Sequence, residues 1–139
     1  MSKYFTIKEM CYSETAKKYG INNTPSPSIE AHLNELMIFL DGLREAWGSA
    51  IKVTSGYRNN RVNTLVGGSK TSAHMVGYAA DLQPVNGKKE EFKKFCKEYL
   101  KDKNFDQLLL EQSKTTEWVH IGLKNRYGKQ RKQIKLLKV

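Results

Sequence analysis

The sequence predicts an α+β domain in which helices pack on a small, largely antiparallel sheet. Strong helical periodicity dominates the first half of the chain and short β-like runs dominate the second. The connections between the late runs are too short for repeated strand–helix–strand crossovers, which argues for a largely antiparallel sheet. At 139 residues the chain suits one hydrophobic core, so 1–139 is read as a single domain.

The earliest expected helix is short, from Ser13 to Tyr19, and Gly20 ends it. In "SPSIEAHLNELMIFLDGLREAWG", Ile29, Leu33, Leu36, Met37, Leu40, Leu43 and Trp47 recur at three- and four-residue steps. Ser/Pro start signals precede this stripe and Gly48 follows it, which defines an amphipathic helix with one buried face. A third helix fits "KKEEFKKFCKEYLKD", with Phe92, Phe95, Cys96 and Tyr99 inward and an acidic first turn that suits the helix dipole. Strands are expected at 50–54, 78–84, 105–111, 117–123 and 133–139.

Composition narrows the function classes. The chain is 39% hydrophobic and 27% charged, with a net charge of +10. That balance favours polyanionic surroundings, and charge alone does not choose among nucleic acid, anionic lipid and cell-wall polymer. No recognisable nucleic-acid motif or basic face with interleaved aromatics is present, so no specific nucleic-acid partner is expected. No apolar run approaches the ~20 residues of a membrane helix. The start "MSKYFTIKEM" lacks the apolar core of a secretion signal, so synthesis in the cytoplasm without a signal peptide is expected. Cys11 and Cys96 lack paired spacing and read as packing residues. A monomer is expected.

Chemistry concentrates in "SAHMVGYAADL" and "EWVH". Strand alternation sends Val119, Ile121 and Leu123 to the core and Trp118, His120 and Gly122 to the other face. The same alternation buries Ala80 and Leu82 and turns Ala79, Asp81 and Gln83 the other way. If the two strands are neighbours, Asp81 and His120 converge. Gly77 permits a turn that carries His74 back over the strand, and the small Ala79 and Ala80 leave room beside it. Two imidazoles and one carboxylate suit zinc, with a fourth position open to water. Zinc acidifies bound water and polarises a carbonyl, and the chemistry then needs a base. Glu117, three residues before His120, and Glu111, at the end of "FDQLLLE", are the candidates. Arg58, in the "TSGYRNN" loop, is placed to hold a substrate carboxylate or a developing oxyanion. Ser72 is placed to bond substrate or orient His74. Trp118 is a candidate wall of the substrate cleft. His32, on the flank of the long helix, has no spaced partner and reads as an ordinary surface residue.

Together, "TSGYR", "SAHMVGYAAD" and "EWVH" resemble the family of zinc D-Ala-D-Ala carboxypeptidases and L-alanyl-D-glutamate endopeptidases, in the branch that includes phage endolysins. The pattern SxHxxGxAxD is matched at Ser72, His74, Gly77, Ala79 and Asp81, and the last ligand at His120. The resemblance implies a Hedgehog/DD-peptidase-like fold, with His74, Asp81 and His120 as zinc ligands, Glu117 as general base and Arg58 assisting. It implies a peptidoglycan peptide as substrate and action at the bacterial cell wall, as in a phage lysin. In related enzymes the tryptophan often directly precedes the last histidine, whereas Trp118 stands one position earlier. Residues three apart on a regular strand face opposite sides, so Glu117 serves only if the strand begins irregularly or bulges. The competing reading is a non-catalytic zinc-containing module that grips cell-wall peptide. The cation-rich tail "KNRYGKQRKQIKLLKV" reads first as a solvated sheet edge guarded by lysines, and second as a weak attachment to anionic wall polymer.

Overall fold

The computed structural model describes residues 2–139. The elements run α1 (Ile7–Cys11), α2 (Glu14–Tyr19), α3 (Pro27–Trp47), β1 (Ile51–Ser55), α4 (Asn60–Leu65), a single 3₁₀ turn (Ala73–Val76), β2 (Ala79–Pro84), α5 (Lys89–Leu100), β3 (Gln107–Gln112), β4 (Glu117–Gly122) and β5 (Gln133–Lys138). The sheet has the order β1-β2-β4-β3-β5. All pairings are antiparallel except β3 with β5, which is parallel.

α3 forms because its apolar stripe coincides with strong end signals. The Ser26 side chain accepts from the Ile29 amide, Pro27 opens the first turn, and Gly48 closes the helix in the left-handed conformation. Leu33, Leu36, Leu40 and Leu43 are fully buried, whereas Ile29 and Trp47 at the ends of the stripe are only partly covered. On α5 the buried face is Phe92, Cys96 and Leu100, with Phe95 and Tyr99 half-buried against Trp47 and each other. These helices meet the core face of the sheet at Leu82, Leu108, Val119 and Ile121.

Two short helices and the 3₁₀ turn were not expected from periodicity. α1 and α4 have five and six residues, too few to display an apolar stripe, and they exist through caps and tertiary contacts. Thr6 and Asn59 accept from the amides of Glu9 and Val62. α1 also carries the Met10 carbonyl, which accepts from the Tyr57 amide at 2.7 Å. Gly56 lies directly against that carbonyl, and a Cβ there would sit 2.2 Å from the Met10 oxygen. Only glycine lets the two backbones approach this closely.

The strands place the site. β1 pairs regularly with β2 up to Val53 and then bulges at Thr54, directly across from Asp81. β2 pairs with β4 so that Asp81 stands opposite His120. The convergence expected from alternation is therefore built into the central strand pair. Asn23, for which no sequence pattern predicts a role, clasps the surrounding loops. Its amide nitrogen donates to the carbonyls of Cys11 and Tyr57, and its oxygen accepts from the Asn59 amide.

Because Leu40 is completely enclosed, Leu40→Ala is expected to cost about 2–5 kcal/mol of stability. Urea unfolding should show a lower midpoint at unchanged slope. A shift within a few tenths of a kcal/mol would contradict this packing.

Candidate metal centre

His74, Asp81 and His120 converge in a recess on the face of the sheet away from α5. One Asp81 carboxylate oxygen lies 3.3 Å from His74 Nε2 and 3.0 Å from His120 Nδ1, and the three donor atoms all fall within 4.8 Å of one another. Zinc–ligand distances of about 2.0–2.1 Å put tetrahedral donors about 3.3–3.4 Å apart, so the observed spacing suits one ion. Both imidazoles are buried, at 2% and 7% exposure, which makes this a recessed site rather than an open wet surface.

Each ligand is fixed by a local device. His74 Nδ1 lies 2.7 Å from the Gly56 carbonyl oxygen, and a carbonyl only accepts, so Nδ1 carries the proton and Nε2 keeps its lone pair for a metal. The close packing of α1 on Gly56 thus sets the tautomer of a ligand on another segment. Ser72 caps the 3₁₀ turn by accepting from the His74 amide, and the Arg58 amide donates to the His74 carbonyl. Gly77 closes the turn at φ 82, and a Cβ there would meet the Ile29 backbone oxygen at 3.0 Å. His32 is no idle surface residue. Its Nδ1 donates to the Val76 carbonyl at 2.7 Å and its ring stacks on Tyr78, holding the turn that carries His74.

The electrostatics favour a cation. Burial lowers the His74 pKa, with the Asp81 charge opposing, which keeps the imidazole in the neutral form a metal requires. Burial alone would raise the Asp81 pKa, but in the metal-free site imidazole protons presented by His74 and His120 outweigh it and hold the carboxyl well below its usual range, and a metal ion takes the place of those protons. Burial raises the Glu111 pKa, and the neighbouring Asp81 charge adds to the rise. Burial also lowers the pKa of Arg58, opposed by the charges of Asp81 and Glu111, and its Nε is enclosed without a partner. His120 Nε2 is likewise buried and unpartnered. The Asp81 carboxylate beside the lone pair of His74 Nε2 and a nitrogen of His120, with Glu111 facing the same recess, suits a divalent ion.

The recess opens into a cavity of about 680 Å³ lined by Arg58, Ser72, Glu111 and Trp118 beside the three ligands. Trp118 Nε1 donates to the Glu111 carboxylate at 3.0 Å, aiming it along the cavity wall. Glu117 does not reach this cavity. The β3–β4 register stays regular through Gln112 and Glu117, without the bulge that would turn Glu117 inward. Its carboxylate instead lies on the α5 side, 3.3 Å from Lys93 Nζ. The cavity also holds Asp106, a buried acid in the apolar run "FDQLLL", whose carboxylate takes paired hydrogen bonds from the Arg131 guanidinium at 2.7 and 2.8 Å. A lone acid in such a run was the available signal for this pair. Asn23 offered none.

The recessed group of His74, Asp81 and His120 on this α+β fold has the composition and spacing to hold a divalent metal ion. The chain belongs to the Peptidase M15 family, whose model matches residues 3–122, and this is a family of zinc metallopeptidases that act on peptidoglycan peptides. No curated protein matches the chain.

Because the fold raises the Glu111 pKa, the ionised side chain is disfavoured relative to the unfolded chain, and stability falls as pH rises through the folded value. Metal-free Glu111→Gln should therefore be more stable than metal-free parent protein at pH 7. The difference should shrink toward pH 4, as the Glu111 carboxylate is progressively protonated. Urea titrations at the two pH values check this, and a less stable variant at pH 7 would refute it.

Proposed function

We propose that the protein is a zinc peptidase that hydrolyses an amide bond in the stem or cross-bridge peptides of bacterial peptidoglycan, in the manner of a cell-wall lysin. The observation that carries this reading is the cluster of His74 Nε2, Asp81 and His120 Nδ1 at the head of a peptide-sized cavity that also holds a carboxylate and a guanidinium. His74, Asp81 and His120 hold the zinc. When bound, zinc supplies a Lewis acid that acidifies water and polarises the scissile carbonyl.

Glu111 is the general base in this proposal. It shares the cavity with the ligands, its raised pKa suits proton exchange, and the Trp118 hydrogen bond holds it in place. It accepts the proton of the attacking water and returns it to the amide nitrogen as the C–N bond breaks. Arg58 stabilises the developing oxyanion or a substrate carboxylate through its free guanidinium edge. Ser72 positions His74 from below, and Trp118 forms a cleft wall against substrate. Glu117, paired with Lys93 on the far face, takes a structural part.

Glu111→Gln should retain zinc and lose about 10²–10⁴-fold in turnover on purified peptidoglycan. Glu117→Gln should stay within a few-fold of the parent. Mass analysis of the released fragments and zinc quantitation measure both. Full cleavage by Glu111→Gln, together with loss in Glu117→Gln, would reverse the assignment.

A further inference from the structure

The largest feature that the proposed chemistry leaves unexplained is a trough between α5 and β5. Two hollows of about 480 and 300 Å³ lie side by side here and share Lys94 and Lys97. Their floor is apolar for a topological reason. Leu108 and Leu110 of β3 are buried beneath the helices, and their register partners on β5 are Ile134 and Leu136. α5 packs over β2 and β4 and leaves this outer strand uncovered, so Ile134 and Leu136 remain 42% and 79% exposed.

The rim is cationic. Six lysines and two glutamates line the two hollows. Lys93 is paired with Glu117 and Lys101 with Glu98, while Lys94, Lys97, Lys132 and Lys138 make no ion pair among the described residues. Lys94, Lys97 and Lys101 follow three- and four-residue steps along one side of α5, and at 1.5 Å per residue they form a row about 10 Å long. The unneutralised Lys94 and Lys97, with Lys101 continuing their row beside apolar surface, suit a linear ligand with repeated negative charge.

Position and composition narrow the partner. Leu109 and Glu111 line the catalytic cavity, whereas Leu110 lines the trough, so the two sites lie on opposite faces of the sheet and do not compete. Phe105 is the only aromatic in the two hollows among the described residues, and it is buried, so there is no platform on which nucleic-acid bases stack. The family match ends at Gly122, the last residue of β4, so the β5 wall lies outside the matched region. From Lys124 onward the chain carries seven cations and no acid.

We propose that the α5–β5 trough binds a linear phosphodiester polymer of the bacterial wall and tethers the enzyme there while the opposite face cuts peptide. The choice of a wall polymer rests on the cell-wall reading above. The probe is a fluorescently labelled glycerol-phosphate polymer, titrated against the zinc-loaded full chain at two salt concentrations. Binding should weaken steeply with salt. The double variant Lys94→Glu/Lys97→Glu should bind at least tenfold more weakly while keeping its unfolding midpoint and its cleavage of a short soluble stem peptide. No binding by the parent protein, or equal binding by the variant, overturns the proposal. So does tighter binding of duplex DNA or anionic vesicles at the same salt. Polymer binding is read without turnover, so an inactive parent protein that still binds through Lys94 and Lys97 would count against the peptidase reading alone.

Discussion

The site depends on one carboxylate oxygen shared by two imidazoles. Asp81 lies 3.3 Å from a nitrogen of His74 and 3.0 Å from a nitrogen of His120, and the surrounding fold exists to keep those contacts in register. β2 and β4 are interior, mutually paired strands, so Asp81 and His120 are fixed across an interior ladder of the sheet. His74 comes from an irregular segment and needs more scaffolding. The Gly56 carbonyl, the Ser72 cap, the tight Gly77 turn and the His32 contact together supply it.

This division explains how the site stores its chemistry. The metal-free recess brings two half-buried carboxylates, Asp81 and Glu111, near each other, with Arg58 only partly compensating. Such an arrangement is unfavourable by itself and favourable around a dication, as expected where function is obtained at the expense of local stability. The helices on the opposite face pay no part of this cost locally. Their uninterrupted apolar packing supplies the stability that the recess lacks.

Much of this was legible in the sequence because period and spacing carry it. The α3 stripe follows from helical spacing, and the five strands and the pairing of Asp81 with His120 from alternation, which the structure reproduces to within two residues at every strand end. α1, α4 and the bulge at Thr54 were not legible, since single turns and bulges leave no periodic trace. Glu117 shows the limit of motif spacing. Its closeness to His120 in sequence suggested proximity in space, but the regular β4 strand turns residues three apart to opposite faces. Glu111, six residues before Glu117, reaches the cavity because β3 pairs beside β4 and places it next to Trp118. His32 and Asn23 act through backbone carbonyls contributed by distant segments, and no local pattern announces such contacts.

Anomalous diffraction at the zinc edge from crystals of zinc-loaded protein tests most directly whether the three side chains share one ion. One dominant peak is expected, bounded by His74 Nε2, an Asp81 oxygen and His120 Nδ1, with ligand distances of about 2.0–2.2 Å. A dominant peak elsewhere, or these side chains splayed too far apart to share the ion, would contradict it.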